Sequence, residues 1–107
     1  MSKAIETFFG AWSEADTDAR LKAVKATITG DAIYIDPRTS DPLSGASAIS
    51  EYVGMFAQMA PGAVAAVIDT QVQQGMTRAT IAFRMKDGME QMGQYFVESD
   101  EAGLITC

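Results

Sequence analysis

The spacing of the apolar residues switches between two periods along this chain, and the switches limit what it can fold into. Near the start, Ile5, Phe8, Phe9 and Trp12 recur at i, i+3, i+4 and i+7. That spacing is one face of a helix beginning near Ser2, with Lys3, Glu6, Ser13 and Glu14 on the other face. Asp16 and Thr17 suit the cap of a second helix that turns Leu21, Val24 and Ile28 inward and Arg20, Lys22 and Lys25 to water, with Gly30 expected to end it. The tight link between the two predicts an antiparallel helical hairpin. From Asp31 the period falls to two: Ile33 and Ile35 share one face, Ala32, Tyr34 and Asp36 the other, and Pro37 stops the strand. After a turn-rich stretch from Arg38 to Gly45, helical spacing returns at Ile49, Tyr52, Val53, Phe56 and Met59 and ends at Pro61 and Gly62. The remainder alternates in three long runs broken by turns at Gln74-Gly75, at Asp87-Gly88 and from Ser99 to Gly103. Neither face of these runs is wholly polar, so each face is expected to pack on something.

This order predicts an α+β domain of three N-terminal helices on a curved antiparallel sheet. The inward set, Phe8, Trp12, Leu21, Val24, Ile33, Ile49, Val53, Phe56, Ile81 and Phe83, is expected to be largely buried. With 107 residues the chain can hold one sizeable core and is read as a single domain over 1–107.

Charge and composition then exclude several functions. Eight Lys and Arg against fourteen Asp and Glu leave a net charge of −6, with the basic residues scattered rather than striped, so no nucleic-acid partner is expected. No long apolar run marks a signal or a membrane span, which makes the cytoplasm the expected compartment. Cys107 is the one cysteine and histidine is absent. An internal disulfide, a Ser-His-Asp triad and a His-ligated metal are therefore ruled out, and neither a metal nor a cofactor is expected. Proton transfer would fall to Asp, Glu, Lys, Tyr or water.

The segment Gly30-Asp31-Ala32-Ile33-Tyr34-Ile35-Asp36-Pro37, followed by Pro42-Leu43-Ser44-Gly45 and Ala48-Ile49, resembles the central part of the SnoaL-like and ketosteroid isomerase-like branch of the nuclear transport factor 2-like superfamily. Phe9-Gly10-Ala11-Trp12 is similar to that family's first helix. Gly93-Gln94-Tyr95 and the run from Asp100 to Ile105 are similar to its late hairpin, although the family's last strand extends further than Leu104 to Cys107. The resemblance implies a cone-shaped fold around an apolar pocket. It does not choose a function, because the fold hosts isomerases, cyclases, dehydratases, epoxide hydrolases and binders alike.

On this resemblance Asp36 takes the place of the isomerases' general base, and Tyr95 that of a late-strand hydrogen-bond donor. Burial in an apolar cavity would raise the basicity of such a carboxylate. The position matching the isomerases' first-helix donor falls at about Phe8, which cannot donate, so steroid isomerase chemistry is not expected. The other reading of Asp36 is a turn cap before Pro37. Pocket-lining candidates are Phe8, Trp12, Tyr34, Tyr52, Phe56, Met59 and Gln91, each also a candidate for plain core packing. Three functions stay open: an isomerase- or cyclase-type enzyme using Asp36 on an apolar carbonyl compound, a non-catalytic binder of a hydrophobic small molecule, and an interaction module. A homodimer through the sheet is compatible with all three.

Overall fold

The first apolar face folds as α1, Lys3–Gly10, and continues into one tight 3-10 turn, Ala11–Ser13. Ile5, Phe8, Phe9 and Trp12 are all buried, Trp12 on the turn rather than on the helix proper. The computed structural model describes residues 3–36, 39, 41–60, 62–73 and 76–107. The expected helix start at Ser2, the stops at Pro37 and Pro61, the loop residue Arg38 and the Gln74-Gly75 turn lie outside these residues.

Helix α2, Thr17–Thr27, starts as its cap predicts, with the Asp16 carboxylate accepting from the Ala19 N–H at 2.8 Å. It ends before Gly30 because the chain is drawn into pairing at the far end of the sequence. Ile105 N–H donates to Thr27 O and Thr29 N–H donates to Ile105 O, and Ile28 turns extended. Arg20 departs from expectation and is buried at 7% exposure. Its Nε and Nη2 donate to Glu14 O at 3.1 and 2.8 Å and Nη2 also reaches Ala15 O at 3.3 Å, so the guanidinium satisfies backbone carbonyls that would otherwise be stranded.

Strand β1, Ile33–Tyr34, pairs with β2, Leu43–Ser44, a strand too short to show in the sequence pattern. The face turned inward is the opposite of the one expected. Ala32 and Tyr34 are buried, whereas Ile33 is 42% and Ile35 61% exposed. Period two fixes which residues share a face but not which face is inside, and the tyrosine ring offers more surface to bury. Gly45 (φ +87°) then turns the chain through a left-handed conformation into α3, Ala46–Met59. Ile49 and Val53 are buried there, Tyr52 and Phe56 half-buried, and Met59 exposed.

Strands β3, Val64–Gln73, β4, Met76–Arg84, and β5, Glu90–Glu98, form an antiparallel sheet in the order β3-β4-β5. A register shift between Val67 and Asp69 bends β3, which curves the sheet over the helices. Asp87-Gly88 makes the expected tight turn, with Met85 N–H donating to Met89 O and Gly88 at φ +93°. Ala79 and Ile81 are buried on the inner face; Phe83, like Leu21 and Phe56, is half-buried rather than fully enclosed. The last residues sit between the two sheets: Thr106 N–H donates to Glu98 O and Ile33 N–H donates to Thr106 O.

Candidate active site

A cavity of about 830 Å³ lies among the first helical segments, β1, α3 and the inner face of β4 and β5. Asp36 and Tyr95 both line it, as do all seven candidate lining residues: Phe8, Trp12, Tyr34 and Tyr52, then Phe56, Met59 and Gln91. Met59 and Gln91 are exposed and belong to its rim. The inner wall is aromatic. Trp12 stands at its centre, its ring 5.3 Å from Phe56, 5.6 Å from Phe83 and 6.3 Å from Tyr34 between centroids. Phe9 and Phe83 also line the cavity, although neither was a site candidate. Both lie on faces read as inward, but periodicity cannot tell a cavity wall from a packed core.

The polar part of the wall is built on Asp36. Two residues apart on β1 and its extension, Tyr34 and Asp36 share a face, and the Tyr34 hydroxyl donates to Asp36 Oδ2 at 2.7 Å. Tyr52, on the inward face of α3, donates to the same oxygen at 2.5 Å. The second oxygen, Oδ1, accepts the Thr39 N–H at 3.1 Å, while Thr39 Oγ1 accepts from Asp36 N–H and donates to Asp36 O. Asp36 therefore caps a turn and lines the cavity at once, so its two readings are not exclusive. Thr39 escaped the sequence reading; its position three residues after an Asp was the available signal.

Burial pushes the Tyr34 phenol well above its ordinary value of 10.0, and the neighbouring Tyr95 and then Asp36 push it in the same direction. Tyr34 is thus a neutral donor at any physiological pH. Its hydroxyl lies 3.3 Å from that of Tyr95. Since the single Tyr34 proton is directed at Asp36, the proton in this longer contact comes from Tyr95. The chain of groups runs Tyr95 to Tyr34 to Asp36, with Tyr52 joining at the carboxylate.

No family model matches the chain, and the comparison with curated proteins found no match. Solved structures do match. A candidate isomerase of the SnoaL-like family from Agrobacterium tumefaciens str. C58 superposes with a TM-score of 0.84 at 22% identity, covering 96% of this chain and 88% of that one. A candidate polyketide cyclase from Sinorhizobium meliloti follows at 0.74 and 20%, covering 99% and 91%. A nuclear transport factor 2-like protein of unknown function from Exiguobacterium sp. 255-15 gives 0.70 and 13%, covering 97% and 92%. The chain has the nuclear transport factor 2-like fold.

Within this nuclear transport factor 2-like fold, the arrangement resolves what the first-helix position supplies. Phe8 is buried and presents only a ring, as its sequence demands, and lies 6.3 Å from the Tyr34 ring. Trp12, four residues on, also lines the cavity. Among the described residues no group of three or more His, Cys, Asp or Glu side chains is placed to hold a metal ion, and no helix is long and apolar enough to cross a membrane.

Proposed function

We propose that this chain takes up an apolar small molecule bearing one polar oxygen, with the aromatic wall holding its body and the Tyr95 phenol turning its proton from the Tyr34 hydroxyl to that oxygen. The observation that supports this reading is the junction of Tyr34, Tyr52 and Asp36 set in a cavity wall that is otherwise largely aromatic and aliphatic. Predominantly apolar pockets with few convergent polar groups are what small-molecule sites look like. Trp12 is the one tryptophan and lines the cavity, so its emission reports occupancy. Titration with a rigid apolar ketone is expected to give a saturable emission change, and Gly93→Leu, which pushes a side chain into the wall, is expected to abolish it. A flat response up to millimolar ketone would refute the reading.

A second reading is favoured by the structural neighbours, among them a candidate isomerase and a candidate cyclase. In it Asp36 removes a proton next to the bound carbonyl and Tyr95 donates to the enolate oxygen. It ranks second because Tyr34, Tyr52 and Thr39 all donate to the carboxylate, and donors to the charged form make it a weaker base. Exchange of the ketone's α-hydrogens in heavy water measures the step directly. Exchange that is catalysed by the wild type and lost in Asp36→Asn would establish it.

A further inference from the structure

This inference rests on the binding reading above and names the group that selects the ligand. Trp12 is 3% exposed, and its Nε1 is a buried donor with no hydrogen-bond partner among the described residues. Buried N–H groups in folded proteins nearly always have an acceptor, because one without a partner loses a full hydrogen bond to water on folding. The surroundings of the indole are rings, Phe8, Phe9, Tyr52, Phe56 and Phe83 among them, and a ring face is at best a weak acceptor. The nitrogen is also shielded from solvent, so bulk water does not supply the acceptor.

Two facts connect this donor to the cavity. Trp12 itself forms part of the cavity wall, and so do Tyr52 and Phe56, which pack edge-on against it and are only half-buried. Because the nitrogen is shielded, its contact with a molecule in the cavity requires those two rings to tilt. We propose that Trp12 is a ligand-binding donor whose Nε1–H bonds to an acceptor oxygen of the bound compound. The ligand class is then an apolar molecule with a carbonyl-type oxygen, and Trp12 together with Tyr95 forms the pair of donors that Phe8 cannot provide. A hydrocarbon of the same shape would gain the same contact with the rings but would leave the indole N–H unpaired.

The discriminating comparison is between two probes of nearly identical shape, 2-adamantanone and 2-methyleneadamantane, titrated by calorimetry. The wild type is expected to favour the ketone by at least about fivefold, the lower end of what one buried donor is worth. Trp12→Phe should narrow that preference to what Tyr95 alone supplies. Because that truncation also removes core volume, the same comparison is made with Trp12 replaced by 3-benzothienylalanine, which keeps the bicyclic shape and has sulfur in place of N–H. A ketone preference several-fold smaller in the sulfur isostere, with hydrocarbon affinity retained, supports the proposal. A preference undiminished in the isostere overturns it while leaving the binding reading intact, and a wild type that does not discriminate overturns both. Failure of both probes to bind the wild type removes both.

Discussion

Tyr34 gives its only proton to Asp36 while burial keeps the phenol from ionising, and this has a consequence at alkaline pH. Unfolded, the residue titrates near 10.0; folded, it titrates higher, so the folded state holds the proton more tightly. Stability from this group is therefore complete below the unfolded value and declines as the pH rises above it toward the folded one. Linkage sets the loss at about 1.4 kcal/mol one pH unit above the unfolded value. Urea melts at several alkaline pH values should show the wild type losing that much more than Tyr34→Phe; parallel curves would contradict it. Asp36 makes a second prediction near neutrality. An asparagine keeps one carbonyl oxygen but turns an NH₂ toward donors, so Asp36→Asn is expected to lose about 1–3 kcal/mol at pH 7. A variant as stable as wild type in denaturant melts would mean that the three donors contribute nothing to holding the turn.

Helices α2 and α3 meet where Arg20 lies over Gly54, and a Cβ on Gly54 would overlap the Arg20 Nη1. Gly54→Ala must push the guanidinium off its carbonyls and should cost about 1–3 kcal/mol. Combined with Arg20→Met the cost of the alanine should largely vanish; additive losses in a double-mutant cycle would show that the two residues do not couple. The same pair shows where sequence reading stops at the level of elements. The three helices and three long strands were legible because each repeats its period several times, and Asp16 and Asp87-Gly88 mark their ends by local chemistry. Arg20 was assigned to water because its type and spacing say so; only the packing of α2 on α3 reveals that it closes backbone carbonyls. Strand β2 has two residues and no period, and the end of α2 is decided by Ile105, far along the chain. The site was legible to a similar depth. Tyr34 and Asp36 share a strand face and Tyr52 an inward helical face, but their convergence on one oxygen depends on how α3 meets β1, which no local pattern encodes.

The whole molecule presents one face that its own helices do not cover. On the outer side of the sheet the register sets Ala66, Ala82 and Met92 side by side and Phe96 beside Arg78, with Met92 54% and Phe96 64% exposed. Val64, at 41%, extends the apolar strip beside Arg84. The charges on this face are Arg84, which pairs with Glu90 at 2.8 Å, Arg78, which donates to Gln71, and Asp69, which lies beside Thr80. Large apolar side chains left this exposed are costly in water, and a two-fold axis would bury them against their own copy. The expected species is a homodimer of about twice 11.4 kDa by light scattering at micromolar concentration. Phe96→Glu should convert it to monomer, because two copies would then set like charges against each other in a desolvated contact. Retention of the inner fold in that variant is checked by its thermal melt. A wild type that already runs at the monomer mass would show that Gln94, Thr80 and the flanking ion pair make this face polar enough to stand alone.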